Sequence, residues 1–279
     1  MVKNMLNQDH NTVKSFGDEW SRINQSNLSE NEKNSIFNDY FSILPFDLIN
    51  KNSIGFDMGC GSGRWATIIA PLVKKLFCID ASSDAIQVAQ ENLKSFNNIH
   101  YQISSVDETS LNPKSFDFGY SLGVLHHVPD TYSAIVSCVA LLKKEAPFLL
   151  YLYYSLDNKP IWYKTIWKMS DLIRRVVNKL PSSLKLIATD LLAVVIYFPL
   201  SQIALFLENI GLEVKNFPLS YYRRKSFYTM RTDSRDRFGT PLEQRFSKVE
   251  IEKMMKDAGL KNIRFSKNQP FWVAVGIKA

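Results

Sequence analysis

Cysteine is scarce in this chain, and what there is does not pair. The three residues, Cys60, Cys78 and Cys138, are odd in number and far apart. They form no C-x-x-C, which argues against a disulfide framework and a cysteine-held zinc ion. No metal is expected, and a reducing, cytoplasmic setting fits the cysteine usage. Glycine is also sparse, at 11 of 279 residues, and no G-X-Y period appears, so a collagen-like chain is excluded. There is no internal repeat and no low-complexity tract. Residues 1–18 lack the apolar stretch of a secretory signal. No uninterrupted apolar run reaches the roughly 18 residues of a clear membrane span. The nearest approach, Leu191 to Leu207, is expected to be broken by Pro199, Ser201 and Gln202.

What is present is a large apolar fraction and an uneven charge. Hydrophobic residues make up 46% of the chain, enough to bury a substantial core and to exclude disorder. Residues 1–150 hold 12 Lys and Arg against 16 Asp and Glu, a net of −4, while residues 151–279 carry +11. The basic half suits an anionic substrate, a lipid surface or a nucleic acid; a solvated basic face explains it equally well.

The apolar pattern changes character along the chain. Ser29 and Glu32 have capping-box spacing, and Ile36, Phe37, Tyr40, Phe41 and Leu44 follow at helical spacing until Pro45. Residues 1–50 therefore read as a helical preface, with Phe16 to Trp20 either a lid over a site or an aromatic anchor. From residue 53 short apolar runs alternate with helical segments. Strands are predicted at 54–58, 76–79, 99–103, 116–122 and 148–154, with helices at 65–73, 86–96 and 132–142 between them. That order gives an α/β domain with a parallel sheet covered by helices on both faces. Residues 158–246 interrupt the alternation as a helical, basic and apolar insert. A second capping box at Ser247 and Glu250 opens a last helix, closed by Gly259, and strands at 262–265 and 271–277 return to the sheet. The domain is thus 51–157 plus 247–279.

In such sheets the ligand lies beyond the carboxyl ends of the strands. The sharpest feature there is Asp57-Met58-Gly59-Cys60-Gly61-Ser62-Gly63-Arg64, set between a strand and a helix. Glycine lets the backbone turn tightly and approach a ligand closely. Asp80 ends the next strand about 20 residues on, where a carboxylate can take a ribose diol. A dinucleotide site predicts G-x-G-x-x-G, whereas this chain has G-x-G-x-G preceded by Asp57. That carboxylate would repel a pyrophosphate and suit an ammonium or sulfonium, which argues against NAD.

Together with Val106-Asp107 and with Phe116-Asp117 to Leu125-His126-His127-Val128, this pattern resembles the class I S-adenosylmethionine-dependent methyltransferases. The likeness is greatest to the branch that methylates quinones, sugars and other small molecules, and covers roughly 53–157 plus the final helix and strands. The resemblance implies a Rossmann-like three-layer sandwich with seven strands, the last antiparallel. It implies S-adenosyl-L-methionine as cofactor. It places Gly59, Cys60 and Gly61 along the methionine part, Asp57 in support of the loop and amino group, and Asp80 with Ala81 at the ribose. Asp107 beside Val106 would meet the adenine amino group, and Ser121 and Leu122 would offer backbone to the methionine end. Arg64 would hold the cofactor carboxylate or lie on the helix surface.

Methyl transfer needs alignment, and a base only if the acceptor is an alcohol or phenol. His126 and His127 follow strand four, where either could be that base or shape the pocket floor. The resembled family uses an Asn-Pro-Pro-Tyr type of segment after strand four for amino groups on bases and glutamine; none follows here, which the resemblance takes as disfavouring nitrogen methylation of nucleic acid or protein. In the insert, Tyr221, Tyr222, Arg223 and Arg224 mix aromatics with cations and suit an anionic acceptor or a sugar ring; a locally paired loop is the other reading. Residues 158–207 are read as a helical cap on the core or as a peripheral membrane surface. The expected activity is methyl transfer to an oxygen of a small anionic or partly apolar acceptor. The rivals are an RNA methyltransferase and a non-catalytic cofactor-binding regulator.

Overall fold

The computed structural model describes residues 7–23, 25 and 28–279. Residues 1–6, part of the expected preface, lie outside them, as do residues 24, 26 and 27. The chain divides into two compact units. Unit 1 contains Ser35–Ser155 and Leu242–Ala279 with the helix α1 (His10–Arg22); unit 2 contains Leu156–Pro241 and the start of α2 (Glu30–Phe41).

Unit 1 is built on seven strands, β1 (Ile54–Met58), β2 (Lys75–Asp80), β3 (Ile99–Ile103), β4 (Phe118–Leu122), β5 (Pro147–Tyr151), β6 (Leu260–Phe265) and β7 (Val273–Lys278). Their order is β3-β2-β1-β4-β5-β7-β6. The first five run parallel, and β7 is antiparallel to both β5 and β6. The helices α3 (Ala66–Ile69), α4 (Ser83–Asn92), α5 (Thr131–Leu141) and, beyond the insert, α10 (Lys248–Asp257) connect and cover the strands. The predicted three-layer α/β fold and its antiparallel last strand are therefore observed.

The sheet centre shows how sequence sets this packing. Gly55 pairs with Phe118, and Phe56 pairs with Gly119. Each phenyl ring lies over the opposite glycine: a Cβ on Gly55 would sit 2.1 Å from the Phe118 ring, and one on Gly119 2.2 Å from the Phe56 ring. Large and small residues thus interlock across β1 and β4. Buried Phe56, Phe148, Ile79, Leu125 and Ile135 continue the core around them. α10 opens with the predicted capping box, Ser247 and Glu250 satisfying each other's backbone N–H.

Several predicted elements end early for local reasons. The helix predicted over 65–73 is only α3 followed by a 3-10 turn at Ala70–Leu72, because Pro71 cannot donate the next helical hydrogen bond. Phe116 and Tyr154, predicted inside strands, make only isolated bridges to Leu142 and Phe246.

Unit 2 is helical: α6 (Ile161–Val177), α7 (Ser182–Leu192), α8 (Phe198–Asn209) and α9 (Phe227–Gly239). Here the sequence misled in one respect. Pro199 does not break the apolar run. A π-helical turn at Ala193–Tyr197 joins α7 to α8, and Pro199 falls in the first turn of α8. The wider hydrogen-bond spacing of that turn absorbs the missing N–H of proline. Ser201 stays in the helix by donating its hydroxyl to the Phe198 carbonyl at 2.8 Å. Ser182–Asn209 is one continuous helix of 28 residues, long and apolar enough by length and composition to cross a membrane.

Candidate active site

β1 enters the glycine turn with Gly59 at φ +81° and Gly61 at φ +52°, in the left-handed region that side chains avoid. A Cβ on Gly59 would also lie 2.4 Å from the Val124 side chain, so this position is closed to larger residues on two counts. The Gly59 and Cys60 N–H groups both donate to the Ile79 carbonyl, at 2.7 and 3.0 Å. One residue on, the Asp80 carboxylate accepts from Gly61 N–H at 3.0 Å and from Ser82 N–H at 2.9 Å. Asp80 thus ties the end of β2 to the glycine turn and to the start of α4. Burial raises its pKa, and the N–H donors of Ser82, Gly61 and Ala81 oppose the rise.

Asp57 lies beneath the turn, 2% exposed. Its Oδ2 is buried and accepts no hydrogen bond of normal geometry among the described residues. Burial pushes this carboxyl up to about 8; the Tyr120 hydroxyl pulls it back, Asp80 adds to the rise and Arg64 opposes it. The group is therefore largely protonated at neutral pH until something cationic arrives.

Above this turn is an open cleft at the carboxyl ends of the strands, where small-molecule sites of such sheets lie. Among the predicted residues, Gly59, Cys60, Gly61, Arg64, Asp80, Ala81, Val106, Leu122 and His127 line it. Arg64 donates to the Gln25 amide oxygen at 2.9 Å and stacks over Trp65, its guanidinium 4.0 Å from the ring centre.

The opposite wall is α1, which supplies Thr12, Val13, Phe16 and Trp20, with Asn7, Gln8 and Asp9 ahead of it. Of the two roles open to Phe16 and Trp20, the structure places both rings on the cleft. Asp9 caps the helix by accepting from Thr12 N–H at 2.8 Å. Gly17 permits the approach of α1 to α4, because a Cβ there would lie 2.6 Å from the Ser82 hydroxyl. Ser104 and Ser105, just past β3, also line the cleft. Neither drew notice in the sequence, although their place at a strand's carboxyl end was a usable signal.

The two histidines separate clearly. His127 is on the cleft wall, and its Nδ1 lies 2.6 Å from the Leu242 carbonyl oxygen. A carbonyl only accepts, so Nδ1 carries the proton and Nε2, which is buried, is the unprotonated nitrogen. The Phe16 ring meets the imidazole edge-on at 5.0 Å. His126 is fully buried and does not line the cleft. It stacks on Tyr153 at 3.9 Å, and burial, aided by His127 and Arg245, holds its pKa well below the ordinary histidine range.

Other predicted residues have local duties. Asp107 is not on the cleft wall; the chain turns outward after Val106, and its carboxylate accepts the Asn7 N–H at 2.9 Å. Ser121 is buried and donates to the Met58 carbonyl at 2.8 Å. The described lining belongs to unit 1, whereas Tyr221, Tyr222, Arg223 and Arg224 belong to unit 2. There Glu208 accepts from Arg223 at 2.7 Å and from Arg224 at 2.8 Å, and the two guanidiniums hold it down to about 2. Lys225 lies over the Tyr221 ring at 5.1 Å, and burial pushes the Tyr222 hydroxyl well above its ordinary range. These cations are engaged within their own unit.

A seven-stranded sheet of this order, a glycine turn after β1 and a carboxylate closing β2 are the features by which this domain resembles the class I S-adenosylmethionine-dependent methyltransferases. Residues 56–150 match the family described as a methyltransferase domain. The chain is similar to a ubiquinone biosynthesis O-methyltransferase of Haemophilus ducreyi, 32% identical over 100 residues, or 34% of this chain and 42% of that relative. The match therefore spans less than half of the relative's length. In three dimensions it resembles a SAM-dependent methyltransferase of Thermotoga maritima, with TM-score 0.50 and 13% identity over 96% of this chain and 100% of that one. A chain from the Haloferax volcanii complex of the Trm112 methyltransferase activator with a methyltransferase aligns with TM-score 0.51 and 12% identity, covering 94% of this chain and 96% of that one. At these identities the two structures share the fold.

S-adenosylmethionine is the cofactor of this class, and the residues present fit it. Asp57 does not itself line the cleft, but its buried Oδ2, just behind the lining residues Met58 and Gly59, has no partner of normal hydrogen-bond geometry among the described residues and suits a cationic group. Gly59 leaves room that a side chain would fill, and Asp80 presents a carboxylate to the cleft.

Proposed function

We propose that this chain transfers a methyl group to an oxygen of a small acceptor, a phenol or quinone-like ring with apolar character, using His127 as general base. The observation that carries the reading is the fixed tautomer of His127 on the cleft wall. When bound, the cofactor supplies an electrophilic methyl carbon on a sulfonium. His127 Nε2 would take the proton of the acceptor hydroxyl that receives the methyl group. The Leu242 carbonyl holds the ring through Nδ1–H and stabilises the imidazolium that results. Phe16, Val124, Leu125 and Val128 give the cleft an apolar wall that excludes water and accepts an aromatic ring. The ubiquinone biosynthesis O-methyltransferases among the relatives support transfer to oxygen.

The test is turnover. Purified protein with S-adenosylmethionine should form S-adenosylhomocysteine when given a catechol bearing an apolar side chain. It should form none with transfer RNA. Product with RNA and none with any phenolic acceptor would sink the reading.

Asp57 gives this reading a second check. In the free protein its carboxyl is protonated up to a pH of about 8. A cationic amino group beside it favours the carboxylate, so cofactor binding near pH 7 should release a proton. The calorimetric binding enthalpy should then differ between phosphate and Tris buffers in proportion to their ionisation heats. Affinity should rise as pH increases toward 8, because the proton no longer has to be displaced, and then level off. An enthalpy independent of buffer would remove Asp57 from the cofactor's amino group.

A further inference from the structure

Unit 2 has its polarity reversed. In a water-soluble helical unit, apolar stripes face inward and charges outward. Here the outward stripe of the long helix Ser182–Asn209 is largely apolar: Leu184, Ile187, Leu191, Val194, Val195, Phe198 and Phe206 are all exposed, with Ile187 at 65% and Val195 at 60%, and exposed Gln202 interrupts them. Its three charged residues turn the other way. Lys185 donates to the Gly239 carbonyl at 3.0 Å, Asp190 pairs with Arg231 at 2.7 Å, and Glu208 binds Arg223 and Arg224. The helix that Lys185 and Asp190 face, α9, buries Thr229, Thr232, Ser234 and Arg235, and an apolar cluster of Val177, Tyr197, Met230 and Phe238 lies in that interior.

α6 repeats the pattern. Ile166, Met169, Leu172, Ile173 and Val176 recur at three- and four-residue spacing and are exposed. One flank of that stripe carries Lys168, Arg175 and Lys179, all exposed. At 100° per residue these cations fall beside the apolar stripe rather than opposite it, so their stems lie along it and their heads at its edge. The acidic residues of 158–212 are Asp171, Asp190 and Glu208, and each is ion-paired.

We infer that the outward stripes of α6 and of Ser182–Asn209 dock unit 2 into one leaflet of a lipid bilayer rich in anionic headgroups. An apolar face of this extent is far beyond the scattered exposed residues of a soluble surface. Its basic flank complements anionic lipid, with each lysine or arginine near the surface contributing attraction that salt weakens. A second copy of the chain would bring the same positive flank against itself, which disfavours self-association as the cover. The long helix lies in the plane of the interface and does not span: its inner side carries Lys185 and Asp190, which tie it to α9. This docking goes beyond the catalytic reading and does not depend on it.

The full-length protein should sediment with vesicles of phosphatidylcholine mixed with phosphatidylglycerol, and much less with phosphatidylcholine alone. The double variant Ile187→Asp, Val195→Asp should lose binding to mixed vesicles by on the order of tenfold or more, since each adds a charge to the buried stripe. Lys168→Glu with Lys179→Glu should abolish the preference for anionic vesicles. Both should bind S-adenosylhomocysteine as the parent does, which separates this test from that of the active site and shows that the sheet unit is folded. Parent protein that stays in solution with both vesicle types would overturn the inference. So would unchanged vesicle binding in the aspartate variant, or a lipid-free dimer that this variant dissociates.

Discussion

Asp80→Ala is expected to weaken S-adenosylhomocysteine binding by about 1.5–3 kcal/mol for each charge-assisted hydrogen bond lost, or roughly tenfold to 150-fold. Two losses combine in it. The carboxylate faces the cleft, where the ribose hydroxyls would donate to it. It also holds Gly61 N–H and Ser82 N–H at 3.0 and 2.9 Å, so the alanine variant frees the glycine turn as well. Asp80→Asn separates the two effects, because its amide oxygen still accepts from one backbone N–H while the charge is gone. It should fall between the parent and Asp80→Ala. Titration calorimetry on variants with unchanged thermal unfolding reads this directly. Unaltered affinity in folded Asp80→Ala would remove Asp80 from the ribose position.

The second large effect is on turnover rather than binding. His127→Ala should lower kcat by about 10²- to 10⁴-fold, the usual contribution of a positioned general base. S-adenosylhomocysteine affinity should change by only a few-fold. His127→Gln is the sharper comparison, since its amide can still donate to the Leu242 carbonyl but cannot take a proton. It should be as slow as His127→Ala. His126 should behave differently. Its imidazole is buried away from the cleft and stacked on Tyr153, so His126→Phe keeps the stacking and should retain most of the activity. Equal losses at the two positions would mean that the pair acts only through packing.

The sheet and the glycine turn were legible in the sequence because each rests on local signals. Short β-rich runs separated by helical periodicity dictate β1 to β5. The glycines that mark the turn are required by φ at Gly59 and Gly61, and Asp80 falls where a strand's carboxyl end must be. What escaped depended on contacts between distant residues. The two histidines are adjacent in sequence and equivalent as residue types. They differ because a carbonyl 115 residues away, at Leu242, fixes one of them at the cleft. Asp107 looked like a cofactor residue from its place after β3, but the outward turn after Val106 sends it to Asn7. The cations at Arg223 and Arg224 looked available for a substrate, and Glu208, 15 and 16 residues earlier, claims both. Pro199 looked like a helix breaker because a π-helical turn has no clear sequence signature.

The central claim is that the glycine turn, Asp57 and Asp80 form a site for S-adenosylmethionine. Calorimetric titration of the purified protein with S-adenosylhomocysteine, with NADH as the comparison, tests it most directly. Saturable binding of the first, with no heat from the second, is the predicted result. Binding of NADH, or no binding of S-adenosylhomocysteine by folded protein, would contradict it.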